Sequence, residues 1–125
     1  MKENDVATST LDCCFAIHRK LGPGLFESVY SGAFQYELQQ SGLSFTREEP
    51  IDVTYNNVSL GVGFRADFVI ERCVIVEVKS VETLAPIHKK QLLNYLRLSD
   101  MRLGLLVNFN TLLLKNGMVR LANKL

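Results

Sequence analysis

The chain is predicted to fold as an α/β domain (α+β, with a mixed sheet) in which helices flank a central β-sheet, and three observations carry that reading. The stretch Phe64–Ser80 holds two apolar runs of period two, the signature of paired strands. Two segments before it and one after it place apolar residues at helical spacing. The run from Arg102 to Phe109 is almost wholly apolar, as in a strand covered on both faces.

In chain order, Ala7, Leu11, Cys14, Ile17 and Leu21 give an amphipathic helix over about Val6–Leu21, ended by Gly22-Pro23-Gly24. Residues 1–5 are expected to be loose. A second helix is expected over about Phe26–Gln40, with Val29, Ala33, Phe34 and Leu38 facing the core and Gly42 at its C′ position. Ile51, Val53 and Tyr55 then alternate with polar residues. Asn56-Asn57 reads as a hairpin turn into Val58, Leu60 and Val62, because Asn tolerates positive φ. Gly61 and Gly63 indicate a bulge or bend. Pro86 suits the first position of a third helix reaching about Ser99, with Ile87, Leu92, Leu93 and Leu96 inward and His88, Gln91 and Tyr95 on a polar stripe. Leu112–Leu121, turning at Asn116-Gly117, is expected to close the fold as a hairpin.

Within Phe64–Ser80, a three-residue turn at Glu71-Arg72-Cys73 pairs positions that sum to 144. That register gathers Ala66, Phe68, Ile70, Val74, Val76 and Val78 on one face. The other face collects Arg65, Asp67, Val69, Ile75, Glu77 and Lys79. A two-residue turn would mix the faces, so burial selects the first pairing. Asp67 then lies opposite Glu77, with Cβ atoms roughly 5 Å apart. Carboxylates that close repel unless a cation or a shared proton lies between them. Arg65 falls opposite Lys79, a second like-charge pair. A solvent-facing salt-bridge cluster would explain any one of these residues, but Val69 and Ile75 on the same face point to cover. Two acids and two bases on a covered patch suit a divalent cation and an anion held together.

Metal-assisted phosphodiester hydrolysis needs such a patch. Mg²⁺, or Mn²⁺ in its place, takes oxygen ligands and keeps several waters, so Asp67, Glu77 and the backbone carbonyl of Val78 would suffice as its protein ligands. The cation would lower the pKa of a bound water. Lys79 would hold that water or offset charge on the reacting phosphate.

Composition bounds the rest. With 125 residues the chain is one domain by length, able to bury about two-thirds of its unfolded surface. Fourteen Lys and Arg against 13 Asp and Glu leave no overall field for nucleic acid or membrane, so any phosphate binding is local. The three cysteines are odd in number, Cys13 and Cys14 are adjacent and no Cys-x-x-Cys occurs, so neither a disulfide framework nor a zinc knuckle is indicated, and reduced thiols in a cytoplasmic protein are expected. No run approaches the ~18 apolar residues of a membrane span.

Asp67 followed by Glu77-Val78-Lys79 in a β-hairpin resembles the PD-(D/E)XK phosphodiesterase superfamily, which includes restriction endonucleases and Holliday-junction resolvases. Gly24-Leu25-Phe26-Glu27-Ser28-Val29-Tyr30 is similar to the motif of the GxxExxY proteins, a branch of that superfamily. The similarity extends from the Leu21–Gly24 approach to Gln91 and Tyr95. The resemblance implies metal ligands at Asp67 and Glu77, a catalytic Lys79, Glu27 as a further acidic ligand, and Gln91 and Tyr95 lining the site. Ala66 stands where the family often has Pro. On spacing alone, Glu27 is explained by the helix macrodipole. His88, Lys89 and Lys90 rank lower, since a lone His and paired lysines on a helix are commonly structural or solvated. The expected function is a Mg²⁺-dependent nuclease on DNA, in preference to RNA. The alternative is a non-catalytic module of the same fold that binds nucleic acid or a protein. Cutting both strands would take two such domains, hence an expected homodimer.

Overall fold

A computed structural model describes residues 2–125, with helices α1 (Lys2–Leu21), α2 (Glu27–Gln40) and α3 (Pro86–Ser99) and strands β1 (Phe45–Tyr55), β2 (Val58–Ile70), β3 (Val74–Lys79), β4 (Leu103–Asn108) and β5 (Met118–Ala122). The strands form one sheet in chain order. Only the β3–β4 pair is parallel, and α3 makes that crossover. Helices α1 and α2 cover one face through Cys14, Ile17, Tyr30, Phe34 and Leu38 against Phe68, Val74, Val76 and Val107. Helix α3 covers the other through Leu92 and Leu96 on Val69, Ile75 and Leu106. With both faces covered, β4 is buried at every residue, as its unbroken apolar run requires.

Local chemistry explains the boundaries. The expected C′ glycine of α2 is Gly42, at φ 73. Its N–H donates to the Gln39 carbonyl and that of Leu43 donates to Leu38, two crossed bonds that satisfy orphaned carbonyls. Pro86 opens α3, where His88 Nδ1 accepts the Ala85 N–H at 3.1 Å, giving that histidine a capping role. The Glu71-Arg72-Cys73 turn holds the expected register, Phe68↔Val76, Val69↔Ile75 and Ile70↔Val74, with Glu71 and Arg72 both at positive φ.

Several expectations are corrected. Helix α1 begins at Lys2, so residues 2–5 are helical, and Asn4 accepts a hydrogen bond from Arg120; Met1 lies outside the described residues. Leu21, at its last position, is exposed. In α2, Tyr30 is buried and Val29 exposed, because the Tyr30 ring stacks on Phe109 at 4.7 Å. In α3, Ile87 is exposed, one turn above the sheet contact made by Leu92 and Leu96. Residues 114–117 form a short 3₁₀ turn and β5 pairs with β4, so the closing hairpin joins β4 to β5 and does not lie within Leu112–Leu121. Ala66 belongs to the cluster under α3, apart from Phe68. The β1–β2 ladder explains this, since it breaks between Arg47↔Phe68 and Glu49↔Ala66, where Glu48 takes φ 51.

Candidate active site

The break in the ladder is where the site forms. Backbone pairing between β2 and β3 stops at Phe68↔Val76, one step short of Asp67 and Glu77. There the two carboxylates replace the missing backbone partners: the Asp67 N–H donates to Glu77 Oε2 at 2.8 Å, and the Val78 N–H donates to Asp67 Oδ2 at 2.9 Å. Each side chain thereby fixes the other strand's backbone, and each keeps its second oxygen clear of these bonds. The expected Arg65–Lys79 juxtaposition does not occur as a ladder pair, because the strands part here: Arg65 pairs with Pro50 on β1 and Lys79 with Asn108 on β4.

Electrostatics mark the same pair. Glu77 is 7% exposed. Burial, and then the neighbouring Asp67 charge, push its carboxyl up to about 8; the Asp67 N–H and Lys79 oppose the rise. Burial also raises Asp67, while the Val78 N–H and Lys79 pull it down and Glu48 and Glu27 push it up. Tyr95 is raised by burial and by the Glu77 and Asp67 charges, and its ring stacks on Phe64 at 3.9 Å. Asp67, Glu77, Lys79 and Tyr95 therefore share one electrostatic neighbourhood, with Glu27 at its border. Gln91 is exposed one turn before Tyr95 on α3. Among the described residues no group of three or more His, Cys, Asp or Glu side chains closes into a metal cage. Two carboxylates, a backbone carbonyl and water nonetheless suit a hard cation such as Mg²⁺, which prefers oxygen and retains its waters. Two acids that burial and neighbouring acidic charges push upward are likewise what a divalent charge would relieve.

The Gly24–Tyr30 motif has a structural logic of its own. Gly22 and Gly24 take φ 66 and 98, conformations open to glycine. The Tyr30 hydroxyl donates to the Gly22 carbonyl at 2.5 Å and accepts the Leu25 N–H at 3.2 Å. The buried tyrosine thus pins the loop, and Ser80 Oγ ties it to the end of β3 by donating to the Leu25 carbonyl at 2.6 Å. Glu27, exposed at the first position of α2 directly after that loop, lies near enough for its charge to raise the Asp67 carboxyl.

Two contributors escaped the sequence reasoning. Glu48 raises both acids from the ladder break, yet in sequence it is one of two adjacent glutamates with nothing to distinguish it. Asn108, buried at the end of β4, accepts the Val81 N–H at 3.0 Å and donates to the Val81 carbonyl at 2.9 Å, setting the course of the chain after Lys79. A polar residue closing an apolar strand was the signal available for it. The lower-ranked His88 is half-buried in its cap, and Lys89 and Lys90 lie on the solvated side of α3.

No curated protein and no solved structure matches the chain. A family model of the PD-(D/E)XK nuclease superfamily matches residues 4–121, a span that takes in every strand to within one residue, Asp67, Glu77 and Lys79, and the loop before Glu27. The splayed hairpin with its crossed carboxylates therefore sits in a chain that belongs to the PD-(D/E)XK nuclease superfamily.

Proposed function

We propose that the protein is a divalent-metal-dependent nuclease of the GxxExxY branch, hydrolysing phosphodiester bonds in nucleic acid, with DNA preferred to RNA. The observation that carries this reading is the pair of buried Glu77 and half-buried Asp67, crossed onto each other's backbone and followed at once by Lys79. Asp67, Glu77 and the Val78 carbonyl would hold Mg²⁺ or Mn²⁺, with Glu27 as a further acidic ligand. The bound cation supplies Lewis-acid polarisation of the phosphate and a water of lowered pKa. Asp67 and Glu77 are positioned by their own hydrogen bonds, so their free oxygens need little reorganisation. Lys79 brings a positive charge beside them to orient the attacking water and to stabilise negative charge growing on the phosphoryl oxygens. Tyr95 and Gln91 wall the site from α3 and contact the substrate backbone. One such site cuts one strand, so duplex cleavage takes two copies of the chain.

The test is cleavage of supercoiled, linear, single-stranded and branched DNA, and of RNA, with Mg²⁺ or Mn²⁺. Wild type is expected to cut, and Glu77→Ala and Lys79→Ala to lose at least ~100-fold in rate, the scale of removing one preorganised electrostatic group. Equal activity in all three preparations would identify a contaminant. The near-neutral charge favours a second reading, a non-catalytic module that binds nucleic acid or a protein. Titration with Mn²⁺ separates the two: binding that Asp67→Asn and Glu77→Gln abolish belongs to the nuclease, and its absence in wild type to the module.

A further inference from the structure

We propose that Phe26 is a platform on which an unpaired base of the substrate stacks, so that the site takes single-stranded or splayed nucleic acid in preference to closed duplex. The inference rests on the nucleic-acid reading above and adds to it a substrate class and the residue that selects it.

Folding gives no reason for a phenylalanine at this position. Phe26 is 81% exposed, more than any other aromatic side chain described. It joins neither core cluster and none of the ring pairs. It is the N-cap of α2, where Ser, Thr, Asp or Asn would accept a hydrogen bond from the first turn, and its ring makes no such bond. Nor is it the apolar residue that commonly precedes a cap and packs on the fourth helical position. That place falls to Leu25, whose N–H reaches the Tyr30 hydroxyl. Positions that break a local rule in this way are expected where function asks for the residue.

The backbone on either side holds the ring's base still. The Tyr30 hydroxyl ties Gly22 to Leu25, the Ser80 hydroxyl donates to the Leu25 carbonyl at 2.6 Å, and the Val29 N–H donates to the Phe26 carbonyl at 3.0 Å. An aromatic side chain on a fixed backbone has little freedom to lose on contact.

Position selects the occupant. Ser80 follows Lys79 directly, so its bond to Leu25 sets Phe26 beside the end of β3. On the other side Phe26 is followed by Glu27, whose charge reaches Asp67. The ring is thus bracketed by chain that carries Lys79 and Glu27, next to the proposed phosphate chemistry. What adjoins a reacting phosphate is a nucleotide base, and every base has a π-face that stacks on an aromatic ring. The grooves of a duplex offer base edges and not faces, so the ring finds a partner only where a base is unpaired, in a single strand, a flap or a branch. Fourteen basic residues against 13 acidic ones leave little general attraction for phosphate, and a stacked base supplies affinity that charge does not.

The chain contains no tryptophan, so Phe26→Trp keeps a stacking ring and installs a single fluorophore. With Ca²⁺ in place of Mg²⁺, its emission should be quenched by a single-stranded oligonucleotide and left unchanged by relaxed circular duplex at the same nucleotide concentration. Tyr36→Trp, at an exposed aromatic further along α2, should respond to neither. By fluorescence anisotropy, Phe26→Ala should bind the single strand at least ~5-fold more weakly than wild type, and Phe26→Trp as tightly, with circular dichroism unchanged in all. Equal quenching by circular duplex, an equal response from Tyr36→Trp, a Phe26→Ala that binds like wild type, or a wild type that binds no single strand would each overturn the proposal. Cleavage by wild type and Phe26→Ala alike would remove the platform and leave the catalyst. A Phe26-dependent single-strand complex that is never cut would leave the platform and remove only the catalytic reading.

Discussion

Replacing Glu77 by Gln keeps its shape and hydrogen-bonding carbonyl but removes the charge that burial and Asp67 oppose. In metal-free protein the Glu77 carboxyl ionises at about 8, against an ordinary value of 4.5 in the unfolded chain. A carboxyl raised on folding binds its proton more tightly in the native state, so its stabilising contribution is full below pH 4.5 and is lost as pH rises to about 8. At 1.36 kcal/mol per pH unit the span corresponds to about 5 kcal/mol, comparable with the whole stability of many small domains. Urea unfolding in EDTA and reductant, at about pH 5 and about pH 9, measures it against Glu77→Gln, which carries no such titration. Wild type should lose roughly 3–5 kcal/mol relative to the variant between those limits, with no further relative loss above them. A wild-type-to-variant difference that stays constant across the window would refute the reasoning, because it would mean that Glu77 enters the folded state already ionised at little cost.

Further outcomes follow from other contacts. Saturating Mn²⁺ should raise the melting point of wild type at pH 8, by the equivalent of about 2.7 kcal/mol at a hundredfold excess over its dissociation constant, and leave Glu77→Ala unmoved; thermal denaturation with and without EDTA reads both. Tyr30→Phe removes the hydroxyl that holds Gly22 and Leu25, and should cost about 1–3 kcal/mol in urea unfolding; a cost below ~0.5 kcal/mol would dismiss the loop-pinning role. His88→Ala loses the α3 cap, and about 1 kcal/mol is expected with cleavage unchanged, whereas a large loss of rate at intact stability would make His88 part of the chemistry. Gly117→Ala would put a Cβ 2.3 Å from the Asn108 carbonyl oxygen, so a melt should show at least ~1–3 kcal/mol of destabilisation.

Period and punctuation alone made much of the fold legible. Alternation over Phe64–Ser80 gave the observed hairpin register, because a slip of one residue would have turned polar side chains inward. Pro86, Gly42 and Asn56-Asn57 marked their boundaries for reasons internal to each residue: a fixed φ, or tolerance of a positive one. The superfamily was legible only as a resemblance, because the spacing of Asp67, Glu77 and Lys79 is weak alone and gains weight from the Gly24–Tyr30 stretch before it and Gln91 and Tyr95 after it.

What lay beyond reach depended on segments distant in sequence. Tyr30 turns inward and Val29 outward because Phe109 and the Gly22–Leu25 loop await the tyrosine, partners that helical periodicity does not contain. Ala66 leaves the Phe68 cluster because Glu48, on another strand, breaks the ladder beside Asp67. The sequence by itself determined that two carboxylates would face each other across a hairpin. Only the tertiary structure decided that they would supplant the backbone pairing there, Glu77 buried and Asp67 half-buried, with charges from Glu48 and Glu27 nearby, because desolvation and hydrogen-bond satisfaction are properties of the assembled layers and not of any one strand.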